Sequence, residues 1–303
     1  MNKRILIIAI LFLLTACGES DHVESFMHVH GLEFDHSGDR FYVATHHGLI
    51  DVSEKGWYKV GKDEEQHDLM GFTILQDGKM ISSGHPSHKS DLENPLGVIV
   101  SEDKGESWTP IALHGEVDFH VLHVNKRNEN IMYGIDSYHS ELYKSVDGGD
   151  QWDQVVTEGL PGSVGEVYAL TTRLENPDVL LAGTEFGLFI SEDGGLKWDE
   201  YQKDFIATAF EYVNESELLL AYFIGEKEGL HVSDDFGQTW VSMNLQLEED
   251  AVTYISVHPF NDDEIIVGTV QQSVYRTTDL GRNWEVLATE GEPNQAYHPN
   301  NET

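Results

Sequence analysis

The chain has 303 residues, with 54 acidic side chains against 18 basic ones and a formal net charge of −36. So acidic a surface repels nucleic acid and anionic lipid headgroups and favours cations, and it also keeps the protein soluble. Cys17 is the single cysteine, which excludes an internal disulfide.

In chain order, Lys3 and Arg4 precede the apolar run Ile5 to Leu14, which ends in Leu14-Thr15-Ala16-Cys17. A basic start, a short apolar stretch and small residues at a cleavage point describe a signal peptide over residues 1–16, too short for a stable membrane span. Leu14-Thr15-Ala16-Cys17 resembles a bacterial lipobox. That resemblance implies cleavage before Cys17, lipidation of its thiol, and an extracytoplasmic protein held on a bacterial membrane by lipid alone. The plainer alternative is an ordinary secretory signal with a coincidental cysteine. Loss of Lys3 and Arg4 would leave 16 basic and 54 acidic residues, a formal charge of −38. Residues 17–25 read as a polar tether.

A repeated turn organises the remainder. Its copies are Ser101 to Trp108, Ser145 to Trp152, Ser191 to Trp198, Ser233 to Trp240 and Thr277 to Trp284, all of the form S/T-x-D-x-G-x-x-W. The aspartates Asp103, Asp147, Asp193, Asp235 and Asp279 recur at steps of 44, 46, 42 and 44 residues. That period is the size of a four-stranded propeller blade. The aspartate accepts hydrogen bonds from backbone N–H groups just after it, and the glycine supplies a positive φ. The tryptophan opens the next strand and buries its ring between repeats. None of these roles needs a substrate, so the five aspartates are expected to be structural.

The motif resembles the Asp-box, or BNR, repeat of sialidase-like and sortilin-like β-propellers. The resemblance implies that each turn joins the third and fourth strands of a blade. All six tryptophans fall in the repeat, the first, Trp57, in a shortened copy without its aspartate. Six blades follow, as in sialidases. The expected fold is all-β: one six-bladed propeller over residues 26–290, four antiparallel strands per blade, then a loose tail over 291–303. Ring closure stays open between a strand added near Phe26 and a last blade that ends unaided.

Chemistry is expected on the face opposite the Asp-boxes, where innermost strands begin and second strands end. The innermost strands start at His28, Asp68, Asp118, Glu166, Ile206 and Ala251. Strand alternation puts the first, third and fifth residues of each on one side. The third position reads His30, Met70, His120, Tyr168, Thr208 and Thr253, and the fifth is apolar throughout. At the ends of the second strands, His46, His85, Asp136 and Glu185 occupy blades 1 to 4, and Ile224 and Val270 follow. Imidazoles and carboxylates thus gather on one rim over four blades, with no basic residue among them.

That set suits a divalent metal, zinc or copper, with His28, His30, His46, His85 and His120 as ligands and Met70 as a thioether should the metal be copper. Asp68 and Tyr168 are candidate ligand-binding residues. His67, His88, His123 and His139 are expected to be exposed or turned away. The bland alternative is a wet rim whose histidines bond water and carboxylates. A glycoside hydrolase would use Asp118, Asp136, Glu166 or Glu185 as its carboxylate pair. Sialidases resemble one another in an arginine triad, and Arg40, Arg127, Arg173, Arg276 and Arg282 all fall outside the rim columns, so sialidase activity is not expected. A third reading, a scaffold for a peptide or an envelope protein, predicts an apolar patch on blades 5 and 6. The expected partners are thus a metal, a small ligand or glycan, or a surface protein, with no nucleic acid, for a monomer.

Overall fold

The computed structural model describes residues 21–214 and 216–299. The expected signal peptide and Cys17 lie outside the described residues. Twenty-five strands form six sheets, each an antiparallel meander in chain order. Blade 1 holds β1 (Val29–Phe34), β2 (Arg40–Thr45), β3 (Gly48–Ser53) and β4 (Gly56–Val60). Blade 2 holds β5 (Asp68–Ile74), β6 (Met80–His85), β7 (Val98–Ser101) and β8 (Thr109–Ala112), and blade 3 holds β9 (Phe119–Val124), β10 (Met132–Asp136), β11 (Glu141–Ser145) and β12 (Asp153–Val155). Blade 4 runs from β13 (Ala169–Thr172) through β14 (Leu180–Thr184) and β15 (Gly187–Ser191) to β16 (Asp199–Gln202). Blade 5 comprises β17 (Ile206–Tyr212), β18 (Leu219–Ile224), β19 (Gly229–Ser233) and β20 (Val241–Ser242). Blade 6 has β21 (Val252–Val257), β22 (Ile265–Thr269), β23 (Val274–Thr277), β24 (Glu285–Thr289) and a fifth strand, β25 (Glu292–Pro293).

The Asp-box turns join third and fourth strands and close by the expected hydrogen bonds. In the third copy Ser191 Oγ donates to Asp193 Oδ1 at 2.9 Å, Gly195 N donates to Ser191 Oγ at 2.9 Å, and Lys197 N donates to Asp193 Oδ1 at 2.9 Å. The same three bonds recur in the other four copies, and each turn glycine has a positive φ, as at Gly105 (88°) and Gly281 (77°). The core is divided into six clusters, one between each pair of neighbouring blades, and every cluster takes one tryptophan. Burying these rings accounts for their placement at the same point of every repeat.

Closure follows the second expectation, since among the described residues blade 6 builds β21 to β24 from its own stretch with no strand from near Phe26, and β25 is added beyond them. Blade 1 completes itself, and the C-terminal segment straps blades 6 and 1 together. Tyr297 is fully buried against Phe34 and Phe41, its hydroxyl donating to Gly38 O at 2.9 Å, and Trp57 Nε1 donates to Gln295 O at 2.8 Å. Residues 291–299 are therefore not a loose tail, because their aromatic ring fills the seam. The end of the expected tether is likewise fixed: Val23 is buried and its N–H donates to Trp57 O at 2.9 Å.

Candidate functional site

In blades 1, 3, 5 and 6 the third position of the innermost strand is set by a β-bulge, not by plain alternation. In β1 Val29 pairs with Thr45 and Gly31 with Ala44, which leaves His30 as the extra residue. His120 is extra between Phe119 and Val121 in β9, as are Thr208 in β17 and Thr253 in β21. A bulge turns one side chain out of the ladder and re-aims it. The device recurs in four of the six blades, and in blades 1 and 3 the side chain it re-aims is an imidazole. Met70 of blade 2 is instead paired regularly with Ser83, and β13 of blade 4 pairs with β14 without a shift.

The remaining groups come from strand ends. His46 lies in the turn after β2, Asp68 opens β5, His85 closes β6, and Asp118 immediately precedes β9. They assemble into two trios, His30–His46–Asp68 and His85–Asp118–His120, and within each trio one atom per residue lies within 4.8 Å of the others. In the first trio, Asp68 Oδ2 is 2.7 Å from His46 Nδ1 and Asp68 Oδ1 is 3.5 Å from His30 Nε2. In the second, Asp118 Oδ2 is 2.8 Å from His120 Nε2 and 3.5 Å from His85 Nε2. Asn94 Oδ1 accepts from His85 Nδ1 at 2.8 Å, and Ser137 Oγ donates to Asp118 Oδ2 at 2.7 Å, which orients both groups. Three buried atoms of this array, His30 Nε2, Asp68 Oδ1 and Asp118 Oδ1, have no hydrogen-bond partner.

Protonation follows from these surroundings. Burial, reinforced by the neighbouring His28, His120 and His46, pushes the His30 pKa down to about 4, so this imidazole stays neutral with a lone pair to offer. Burial raises the pKa of Asp68, although His46 and His85 pull it the other way. Burial also works against ionisation of Asp118, but the hydrogen bond and charge of His120 outweigh it and hold the carboxyl below its ordinary range. The same hydrogen bond raises the pKa of His120.

The other candidates fall outside the trios. His28, exposed and at φ 54°, stacks on His30 with ring centroids 5.8 Å apart but contributes to neither trio. Asp136 is fully buried and spends its carboxylate on the backbone N–H of Asp118 (2.9 Å) and His139 (2.9 Å) and on His139 Nδ1 (2.6 Å). Glu166 accepts from Ser163 N at 2.9 Å in the capping box of a short 3-10 turn, Val164–Glu166. Glu185 is exposed, Met70 is buried, and Tyr168 stands half-exposed at the mouth of the central cavity. The clustered site thus spans blades 1 to 3, not 1 to 4. Of the histidines expected to be exposed or turned away, His88 and His139 are exposed, His139 also bonding Asp136, whereas His67 is wholly buried and accepts from Ser87 N, and His123 bonds Thr172 Oγ1 at 2.9 Å.

Sequence columns missed Asn94 and Ser137. Asn94 sits on residues 86–97 between β6 and β7, a connection much longer than its counterparts in the other blades. That insertion was a visible signal, since long loops on a rigid scaffold often carry function. Beneath the rim, the fifth-position residues Leu32, Phe72, Leu122, Leu170, Phe210 and Ile255 line a central cavity of about 220 Å³. Of the exposed apolar side chains on the rim, Tyr138, Tyr168 and Phe186 fall in blades 3 and 4, and Val270 lies in blade 6.

Bulged inner strands, Asp-box turns and a His/Asp rim define a six-bladed propeller of the Asp-box type. The family model described as "Sortilin, neurotensin receptor 3" (Sortilin-Vps10) matches residues 228–303. Among solved structures, the chain is similar to the GH74 enzyme of Niastella koreensis, with TM-score 0.58 and 16% identity over 88% of this chain and 46% of that one. It is also similar to the GH74 xyloglucanase of Xanthomonas campestris, with TM-score 0.54 and 15% identity over 89% of this chain and 46% of that one. The chain therefore spans less than half the length of these enzymes. A third similar structure, YCF48 bound to D1 peptide, gives TM-score 0.51 and 14% identity over 88% of this chain and 83% of that one. No curated protein matches the chain.

Proposed function

We propose that this propeller binds divalent transition-metal ions, zinc or copper, on its rim through His30, His46 and Asp68 and through His85, Asp118 and His120. The observation that carries the reading is the set of buried donor atoms without partners, His30 Nε2, Asp68 Oδ1 and Asp118 Oδ1, inside trios whose atoms lie within 4.8 Å. A buried polar atom left unpaired costs about 1–3 kcal/mol, a cost that a bound ion would remove. Two imidazoles and a carboxylate form a donor set suited to ions of borderline softness. Asn94 and Ser137 would act as the outer groups that orient His85 and Asp118.

The motif Leu14-Thr15-Ala16-Cys17 supports an extracytoplasmic, lipid-anchored placement, in which the lipid alone meets the membrane. Elemental analysis of purified, desalted protein tests the metal reading. Wild type should retain zinc or copper, and His46→Ala and His85→Ala should each lose about one ion's worth. Equal metal content in all three proteins would sink it.

The similarity to GH74 enzymes keeps a glycoside hydrolase as the second reading, but the engaged carboxylates of Asp136 and Glu166 weigh against it. Hydrolysis of any neutral glycan, abolished by Asp118→Asn, would revive it. YCF48 is similarly a precedent for a peptide partner, and copurification with an envelope protein would favour that role.

A further inference from the structure

The two trios are not independent. Asp68 and His85 face each other in the register of β5 and β6, and residues opposite one another in an antiparallel pair have Cβ atoms about 5 Å apart. Asp68 belongs to the first trio and His85 to the second, so the two sets share a wall.

Each trio supplies three protein donors, which leaves a four-, five- or six-coordinate ion with open positions. His46 and His120 are about half exposed, at 46% and 49%, so those positions look out onto the rim. Charge sharpens the point. Each trio has one carboxylate, so a divalent ion would leave a surplus of one positive charge in each. Among the described residues, no lysine or arginine is ion-paired with Asp68 or Asp118. A loaded pair of trios would be a doubly positive spot on a chain of formal charge −36, and such a spot draws an anion.

We propose that the trios act as one two-metal site whose ligand is a tetrahedral oxyanion, inorganic phosphate or a phosphomonoester, bridging both ions. This inference rests on the metal reading above. Tyr138 marks the edge of the site: it is 54% exposed, and its ring centroid lies 6.0 Å from that of His85. It offers an aromatic face to the organic part of a phosphomonoester.

The test uses the full chain loaded with zinc, desalted, and titrated calorimetrically with inorganic phosphate and with phenyl phosphate. The expected result is two zinc ions per chain and one oxyanion bound, with no binding to the metal-free protein. His46→Ala and His85→Ala, each retaining one ion, should bind phosphate about tenfold or more weakly, because a bridge needs both ions. A Tyr138→Ala variant separates the two sources. Weakened phenyl phosphate with unchanged phosphate assigns the site to a phosphomonoester, and no change in either assigns it to inorganic phosphate. Two bound ions without oxyanion affinity, or one-ion variants that bind phosphate as wild type does, would overturn the bridge and leave the metal reading standing. Wild type that retains no zinc would overturn both.

Discussion

The two faces of the propeller use carboxylates in opposite ways. On the Asp-box face, Asp193 and its counterparts are exposed or half-buried and engaged, taking hydrogen bonds from a serine or threonine and from backbone N–H groups of the same turn. Those bonds favour the charged form: Asp279, held chiefly by the side chain and backbone of Asn283, has its pKa lowered to about 2. On the rim, Asp68 has the reverse environment. Burial raises its pKa, and one oxygen lacks a partner. A carboxylate satisfied by its own turn is a structural part, whereas a buried one left partly unsatisfied costs stability, a cost that the proposed ion would relieve.

Substitutions on the two faces should therefore separate fold from function. Trp198→Ala empties the seam between blades 3 and 4, where the ring is only 3% exposed, and should cost about 3–5 kcal/mol in urea unfolding. Metal content per folded chain should not change; a proportionate loss of metal would blur the division between faces.

Acid should act on the rim side. The pKa of His67, next to Asp68 in sequence, is pushed by burial from 6.5 down to about 4. Between those values the unfolded state holds the extra proton, so stability falls as pH drops from 6.5 toward 4. The loss from this residue is on the order of 2–3 kcal/mol, read from urea midpoints of metal-free protein, and His67→Gln should flatten that part of the profile. A profile unchanged by the substitution would place the acid sensitivity elsewhere.

The smallest effect is the sharpest discriminator. Asp68→Asn should leave the melting temperature of metal-free protein unchanged or slightly raised, within about 1 kcal/mol, because it removes a buried charge. Asp193→Asn should lower it, because the turn loses a charged acceptor. Matching decreases in both would erase the distinction between the two kinds of carboxylate.

Much of this organisation was legible in the chain. The spacing of Asp103 through Asp279 gave the blade period, and the tryptophans gave the number of seams. The columns through His30 and His120 and through His46 and His85 pointed to one rim, where these four imidazoles gather into the two trios. Asp136, in the column of His46 and His85, and Glu166, in the first-position column of Asp68 and Asp118, proved to be ties for Asp118, His139 and Ser163, since a column shows which strand end a residue sits on and not which N–H groups await it there. Asn94 escaped notice because the loop that carries it has no counterpart in the other repeats.

What the sequence determined by itself is therefore local and periodic: turn chemistry, strand alternation and a ring that each blade must bury. Those depend on residues a few positions apart, and the 44-residue scale repeats them until they are unmistakable. Only the tertiary structure decided which imidazole meets which carboxylate, that bulges aim His30 and His120 into the rim, and that Tyr297 seals the ring. The physical reason is that these are contacts between particular side chains, which a repeat pattern does not specify. Packing of blade 2 on blade 1 brings Asp68 beside His30 and His46, and ring closure brings Tyr297 against Phe41.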